Sequence, residues 1–108
     1  MATQRDIFQA IADPTRREIL NLLVTETMTP TALAEKFPAT RQAISKHIRI
    51  LFDCGLVRTK QVGRERYCEI RPQKLKVVVD WIEPFRRMWE ERFNQLDDVL
   101  KQMKTHKR

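Results

Sequence analysis

The sequence predicts a mostly α-helical fold with one small β-hairpin. Apolar residues recur at helical spacing through most of the 108 residues. The pairs Asp13-Pro14 and Thr29-Pro30 each supply an N-cap followed by a proline, which is typical of a helix start. Residues 56–70 instead alternate with an approximate period of two around Gly63, which predicts two strands joined by a tight turn.

Two helices are predicted at the N-terminus. The first spans residues 3–12 and places Ile7, Phe8 and Ile11 on one face. The second runs from Pro14 to about Val24, and its buried side is predicted to be Ile19, Leu20, Leu22 and Leu23.

Two arginines, Arg16 and Arg17, fall in the first turn of the second helix, where the helix dipole disfavours cations. They either face solvent at little cost or hold a phosphate or a carboxylate.

A short helix over residues 31–37 follows Thr29-Pro30, and a turn at residues 38–40 leads into a longer helix, Thr40 to Cys54. Two helices joined by a turn of about three residues form a helix-turn-helix, here predicted over residues 30–54. The apolar side of the longer helix is predicted to be Ile44, Ile48, Leu51 and Phe52.

The opposite side of that helix is basic and polar. Gln42, Ser45, Lys46 and Arg49 define what we call the recognition face, with Arg41 at its edge and no acidic residue before Asp53. Such a face could lie in the major groove of DNA, or it could be an ordinary solvated surface.

The hairpin follows directly, because Gly55 sits where a helix ends in a left-handed residue. Lys60, Arg64 and Arg66 are predicted to cluster at its tip. A basic hairpin after a helix-turn-helix is a wing, whose arginines can contact phosphates or the minor groove. The sequence therefore predicts a winged helix-turn-helix domain with its wing at residues 56–70.

Residues 72–106 are predicted to be helical, with Pro84 either kinking the helix or starting a new one. Apolar residues recur at 85, 89, 93, 96, 100 and 103, near the 3.5-residue period of a coiled coil. We expect them to form a dimer interface, although the helix could fold back on its own domain. The C-terminal seam is defined as Trp81, Phe85, Met88, Trp89, Phe93, Leu96 and Leu100. Ile7 and Phe8 are expected to join the same interface, and residues 1–108 are expected to form one domain with N- and C-terminal dimerisation helices.

The net charge of +7 is densest in the middle of the chain, where residues 38–71 carry eight basic and three acidic side chains. A local basic patch is the expected footprint of a phosphate-backbone binder, although it could also favour an anionic membrane or solubility. No apolar run approaches about 20 residues and no signal pattern opens the chain, so we expect a cytoplasmic protein.

Catalytic motifs are not apparent. The sequence has no Gly-rich phosphate loop, no metal triad and no Ser/His/Asp arrangement at recognisable spacing, so an enzyme is not expected. Cys54 and Cys68 belong to no Cys-x-x-Cys pair, and two reduced, buried thiols are favoured over a redox switch.

Several segments together resemble the ArsR/SmtB-type winged-helix repressors. They are AIADPTRREILNLL at 10–23, TALAEKF at 31–37, RQAISKHIRILFDCGLV at 41–57 and QVGRERY at 61–67. The C-terminal WIEPFRRMWEERFNQL resembles a branch of the family that lacks metal sites. The resemblance implies a homodimer on a palindromic operator, often beside its own gene, with repression relieved by a signal.

The metal sites of that family are not matched. The helix at 31–37 has no Cys or His, and Asp97 and Asp98 lie about 12 Å along the helix axis from His106, too far for one site within a subunit. His47 lies about 60° off the apolar stripe and is expected at a packing boundary. We therefore predict no metal and no cofactor.

The predicted function is a sequence-specific DNA-binding regulator, most simply a dimeric repressor of a palindromic operator. The alternatives are a winged-helix protein-interaction module and a redox- or metal-responsive repressor. The residues predicted to contact double-stranded DNA are Thr40, Arg41, Gln42, Ser45, Lys46, His47, Arg49, Lys60, Arg64 and Arg66.

Overall fold

The structure is a computed structural model that describes residues 6–106, with side chains to residue 104. Its helices and strands in chain order are α1 (Ile7–Ala10), α2 (Pro14–Thr25), α3 (Pro30–Ala34), α4 (Arg41–Asp53), β1 (Val57–Val62), β2 (Glu65–Ile70), a 3₁₀ turn (Pro72–Leu75) and α5 (Lys76–His106). The predicted fold class, mostly α with one β-hairpin, is confirmed.

The chain divides after Val77 into two compact units. The first unit contains α1 to β2 and the 3₁₀ turn, and the second is the long helical segment from Val78 onward. A single domain over residues 1–108 stays a prediction.

Three helix starts are capped as the sequence predicts. The side chains of Asp13, Thr29 and Thr40 each accept a hydrogen bond from the backbone N–H three residues later, at 3.0–3.1 Å. Each cap satisfies one of the N–H groups that a helix start leaves unpaired. The first helix is shorter than predicted, because α1 begins only after its own cap at Asp6, and residues 3–5 lie outside the described chain.

The cap at Asp13 is expected to contribute about 1 kcal/mol to the stability of the protein. Hydrogen bonding from the Arg16 backbone N–H, aided by the nearby charge of the Arg16 guanidinium, lowers the pKa of Asp13 below its usual 3.8. The contribution of the ionised carboxylate is therefore complete above that value and lost as pH falls through the lowered pKa.

We expect Asp13→Ala to lower the unfolding free energy by about 1 kcal/mol at neutral pH, with the difference shrinking in acid. Urea unfolding across a pH series measures this. Asp13→Asn is the control, because asparagine caps equally well but does not titrate. A deficit for Asp13→Ala that is unchanged in strong acid would contradict the account.

The core of the first unit lies where α2, α3, α4 and the base of the hairpin meet. Its fully buried side chains include Ile19, Leu33, Ile44, Leu51, Leu56 and Val57. Burying one such side chain stabilises a protein by roughly 1.5–3 kcal/mol. Leu22, predicted to be buried, is only partly covered.

Phe52 departs from the prediction because 48% of it is exposed. At 100° per residue it lies about 80° from Ile44, whereas Leu51 lies about 20° from it. Phe52 is therefore at the edge of the buried stripe rather than at its centre.

Both glycines have a left-handed backbone, which the sequence predicts for Gly55, with φ of +84° at Gly55 and +62° at Gly63. After α4, the Leu56 N–H donates to the Leu51 carbonyl and the Gly55 N–H to the Phe52 carbonyl, both at 3.0 Å. These two bonds form the Schellman motif that ends helices. This motif ends α4 at Asp53, and three residues separate that end from the next strand, β1, which begins at Val57.

The hairpin is paired in register from Val57 with Ile70 to Val62 with Glu65. Met28, between α2 and α3, forms an isolated antiparallel bridge with Cys68. The Cys68 N–H donates to the Met28 carbonyl at 2.7 Å, and the reverse bond is 3.3 Å. The base of the wing is therefore fixed to the segment between α2 and α3.

In the second unit, Pro84 lies inside α5, which is one continuous helix. Pro84 therefore does not start a new helix, which was one of the two possibilities considered from the sequence. The side chains of Arg86 and Arg87 pair with Glu83, and Lys101 pairs with Asp97 at 3.4 Å, one helical turn apart. Such exposed pairs contribute little individually.

Candidate nucleic-acid interface

The recognition face of α4 is exposed and unengaged. Gln42, Ser45, Lys46 and Arg49 line one shallow depression on the helix surface. Among the residues that the structure describes, these four side chains make no hydrogen bond or ion pair. Their donors and charges are therefore available to an external partner.

The residues at the start of α4 are already used within the protein. The Thr40 hydroxyl accepts from the Ala43 N–H at 3.1 Å. The Arg41 guanidinium donates to the Thr31 hydroxyl, which ties the start of α4 to α3. Both residues remain exposed at the positive end of the helix dipole, where a phosphate is favoured.

His47 differs from the other predicted contact residues because its ring is held against α2. Its side chain is 25% exposed, and its Nδ1 lies 3.2 Å from Nη1 of Arg16 and 3.9 Å from Oδ2 of Asp13. This agrees with the boundary position expected from the helical wheel.

Arg17 is solvent-exposed, which is one of the roles considered from the sequence, whereas Arg16 is half-buried, and both side chains also donate to backbone carbonyls near the end of α1. Arg16 donates from Nε to the Ala10 carbonyl at 2.6 Å and from Nη2 to the Gln9 carbonyl at 3.2 Å. Arg17 donates from Nη1 to the carbonyls of Ile11 and Ala12 at 2.9 and 3.1 Å. Both side chains thus donate to carbonyl groups at and just after the end of α1, where a helix runs out of N–H partners. The Gln9 carbonyl also accepts from the Ala12 N–H at 3.2 Å.

The wing cations divide between its two faces, because residues paired directly across strands share a face. Arg66 pairs with Gln61 and shares a face with Thr59 and Cys68, whereas Lys60 pairs with Tyr67 on the other face. Lys60 and Arg66 therefore lie on opposite faces of the hairpin, with Arg64 in the turn, and do not form the single cluster predicted at the tip. An ion pair between Arg58 and Glu69 at 2.6 Å lies on the same face as Lys60, which we call the outer face of the wing.

A cleft of about 390 Å³ separates α4 from the wing. Its apolar wall includes the exposed side of Phe52, and its rim carries Arg49 and Arg66. Sequence reasoning missed this cleft, since it depends on the distance between two elements rather than on either pattern. The remaining lining residues are Pro30, Ser45, Ile48, Asp53, Thr59 and Cys68.

The C-terminal seam in the second unit is exposed along its whole length, with exposed fractions from 45% at Met88 to 65% at Trp89. Its aromatic rings contact each other within the helix. Trp81 and Phe85 are 5.1 Å apart between centroids, as are Trp89 and Phe93. Ile7 and Phe8 in the first unit are half-buried.

The two cysteines are free thiols in different environments. Cys68 is fully buried, and burial raises the pKa of its thiol, which reduces its reactivity. Cys54 is half-buried and its Sγ donates to the Leu51 carbonyl at 3.3 Å.

Within residues 6–104, no three His, Cys, Asp or Glu side chains are grouped so that they could hold a metal ion. The His106 side chain lies outside the described part. None of the described helices is long and apolar enough to cross a membrane.

The fold and the unengaged basic face define a winged helix-turn-helix of the DNA-binding class, and comparisons with known proteins agree. A family profile described as a helix-turn-helix domain matches residues 11–60. The transcriptional repressor SdpR of Bacillus subtilis is 34% identical over 80 residues, covering 74% of this chain and 89% of SdpR.

Two solved structures extend the match to the fold. The crystal structure of the ArsR family transcriptional regulator RHA00566 is 39% identical with a TM-score of 0.66, covering 78% of this chain and 92% of that one. An ArsR-like transcriptional regulator from Rhodococcus sp. RHA1 is 33% identical with a TM-score of 0.65, covering 86% and 88%. The chain belongs to the ArsR/SmtB-type winged helix-turn-helix transcriptional regulators.

Proposed function

We propose that the protein is a cytoplasmic, homodimeric repressor that binds a palindromic operator through α4 and the wing. The observation that carries this proposal is that the four polar side chains of the recognition face are exposed and form no hydrogen bond or ion pair among the described residues. The family to which the chain belongs consists of transcriptional regulators. The repressor role is supported by the similarity to SdpR, which is named a transcriptional repressor. The regulated site is proposed to include the DNA upstream of its own gene.

The C-terminal seam supports the homodimer. A stripe of exposed aromatic and aliphatic side chains at coiled-coil spacing is costly to leave in water, and a two-fold pair of such helices covers it with an identical stripe. Ile7 and Phe8 are proposed to extend the same interface. A dimer would then present two copies of α4 to successive major grooves about 34 Å apart.

Within each half-site, the contacts are proposed to differ in kind. Gln42, which can bond bidentately to adenine, is proposed to read a base edge, whereas Lys46 and Arg49 contact base edges or phosphates. Arg64 in the wing turn and Arg66 on the cleft side are proposed to hold the phosphate backbone, with Lys60 reaching it from the outer face. Thr40 and Arg41 lie beside the phosphate expected at the start of α4.

Gln42→Ala and Arg64→Ala are expected to weaken DNA binding in different ways. Loss of a base contact relaxes sequence preference at one position, by a factor equivalent to about 1–3 kcal/mol. Loss of a phosphate contact weakens binding to all sequences alike and reduces the salt slope by about one. Affinities for the operator and for single-base variants of it distinguish the two.

Thr25→Ala is the control for this comparison, because Thr25 lies at the end of α2 and its hydroxyl donates only to the Leu22 carbonyl. It should change neither sequence preference nor salt slope. Equal losses across all sequences for both Gln42→Ala and Arg64→Ala would count against the assigned roles.

A further inference from the structure

One side chain of α2 joins three helices of the first unit. The Arg16 guanidinium donates to the carbonyls of Gln9 and Ala10 at the end of α1, and its Nη1 lies 3.2 Å from His47 Nδ1 on α4. Arg16 and His47 are 31 residues apart in the chain. DNA binding as proposed above uses neither this contact nor the half-buried position of His47.

The chemistry of the two groups determines where the His47 proton lies. Arginine is a donor only and stays charged, so a hydrogen bond at this distance requires Nδ1 of His47 to accept. The ring is then neutral and carries its proton on Nε2. The only carboxylate recorded near Nδ1 among the described residues, Asp13, is 3.9 Å away and accepts from the Arg16 backbone N–H at 3.0 Å.

We propose that Arg16 is a positioning residue for DNA recognition, which fixes the rotation of α4 through His47. His47 directly follows Lys46 and precedes Arg49 by two residues, so its anchor sets the direction of the recognition face. Because α4 is about 5–6 Å in radius with its side chains, a rotation of about 10° moves a side-chain tip by about 1 Å. A displacement of that size is enough to break a hydrogen bond to a base edge.

The same guanidinium also connects α1 to the recognition helix. Ile7 and Phe8 of α1 belong to the proposed dimer interface, and the end of α1 is held by the group that holds His47. Arg16 thus provides a direct physical route from the dimer interface to the DNA-contacting face. This inference rests on the proposed DNA binding, but the state of the His47 ring does not.

The first test is the ring ¹⁵N chemical shifts of His47 in the free protein at neutral pH. In the wild-type protein we expect an unprotonated Nδ1 and a protonated Nε2. In Arg16→Lys we expect a mixture of the two tautomers, because lysine lacks the planar guanidinium that donates to Nδ1. A wild-type ring protonated on Nδ1 would overturn the proposal. Since no DNA is present, this result is independent of whether the protein binds an operator.

The second test is affinity for DNA from the region upstream of its gene. His47→Asn keeps an acceptor where Nδ1 stood and should bind within about threefold of wild type, whereas His47→Leu and Arg16→Lys should each bind about tenfold more weakly. The double variant Arg16→Lys/His47→Leu should bind DNA no more weakly than the weaker of the two single variants, because both substitutions remove the same hydrogen bond between Arg16 and His47. Losses that multiply in the double variant would contradict the proposal.

Arg17→Lys is the matched control. Arg17 also donates to carbonyls near the end of α1 but, among the described residues, forms no hydrogen bond with His47, so the same substitution should leave affinity and tautomer unchanged. If Arg17→Lys weakens DNA binding as much as Arg16→Lys does, the effect comes from α1 alone and the role of His47 is refuted.

Discussion

Trp89→Glu is expected to convert the protein to a monomer and to lower its affinity for the operator at least about 100-fold. Trp89 is the most exposed member of the C-terminal seam, at 65%, and packs edge-on against Phe93. Burying one indole in a dimer interface contributes on the order of 3 kcal/mol to the association free energy. Because a two-fold dimer contains two copies of Trp89, the substitution removes this contribution twice. The new carboxylate would also have to be desolvated without a partner.

The effect on DNA binding follows from the linkage of two half-sites. A dimer binds its second half-site at an effective concentration in the millimolar range, which raises avidity by about 10²–10⁴. Sedimentation of the free protein measures the assembly state, and a DNA titration measures the affinity.

Asn94→Glu is the control for this prediction, since it adds the same charge about 140° around α5 from Trp89, away from the seam. It should remain dimeric and bind DNA normally. A dimeric Trp89→Glu protein would mean that the seam does not carry the dimer.

Arg49→Glu is expected to produce the second large effect, a loss of about 10²–10³-fold in operator affinity. Arg49 lies both on the recognition face and on the rim of the cleft facing the wing, and its guanidinium has no partner among the described residues. The substitution removes a favourable contact and introduces repulsion against the phosphates.

The size of this loss separates a contact from a general charge effect. Arg87→Glu makes the same change in net charge on the polar side of α5 and breaks only an exposed pair with Glu83 at 3.5 Å. It should weaken binding by less than about threefold, and mostly at low salt. Similar losses for the two variants would show that Arg49 acts only through net charge.

Local sequence signals predicted the elements of the first unit well. The predicted caps at Asp13, Thr29 and Thr40 and the predicted positive φ of Gly55 are set by residues within a few positions of one another. The recognition face was predictable for the same reason, because helical spacing alone determines which side chains lie opposite Ile44.

Features that depend on distant residues were not predictable. The bridge between Met28 and Cys68 and the contact between Arg16 and His47 join segments whose distance no periodicity encodes. The division of Lys60 from Arg66 follows from the hairpin register, which a two-residue turn fixes. The sequence signal for this register is the position of Gly63 in the turn.

The hydrogen bonds from Arg16 and Arg17 to backbone carbonyls were not predictable for a related reason. Charge and helix position describe how each arginine fits its own helix, whereas the carbonyls that accept from these side chains lie five to seven residues earlier in the chain. A basic residue in the first turn of a helix that closely follows another helix is therefore a candidate cap for the preceding helix.

The central claim is that two copies of α4 bind one operator through contacts to its phosphates and bases. Its most direct test is a mobility-shift titration of the DNA upstream of the gene, with stoichiometry, at about 50 and 200 mM salt. The account predicts two protomers per site and an affinity that falls by about 10³–10⁵ between the two conditions, as expected for six to ten phosphate contacts. No shift at the lower salt concentration, or one protomer per site with salt-independent affinity, would contradict it.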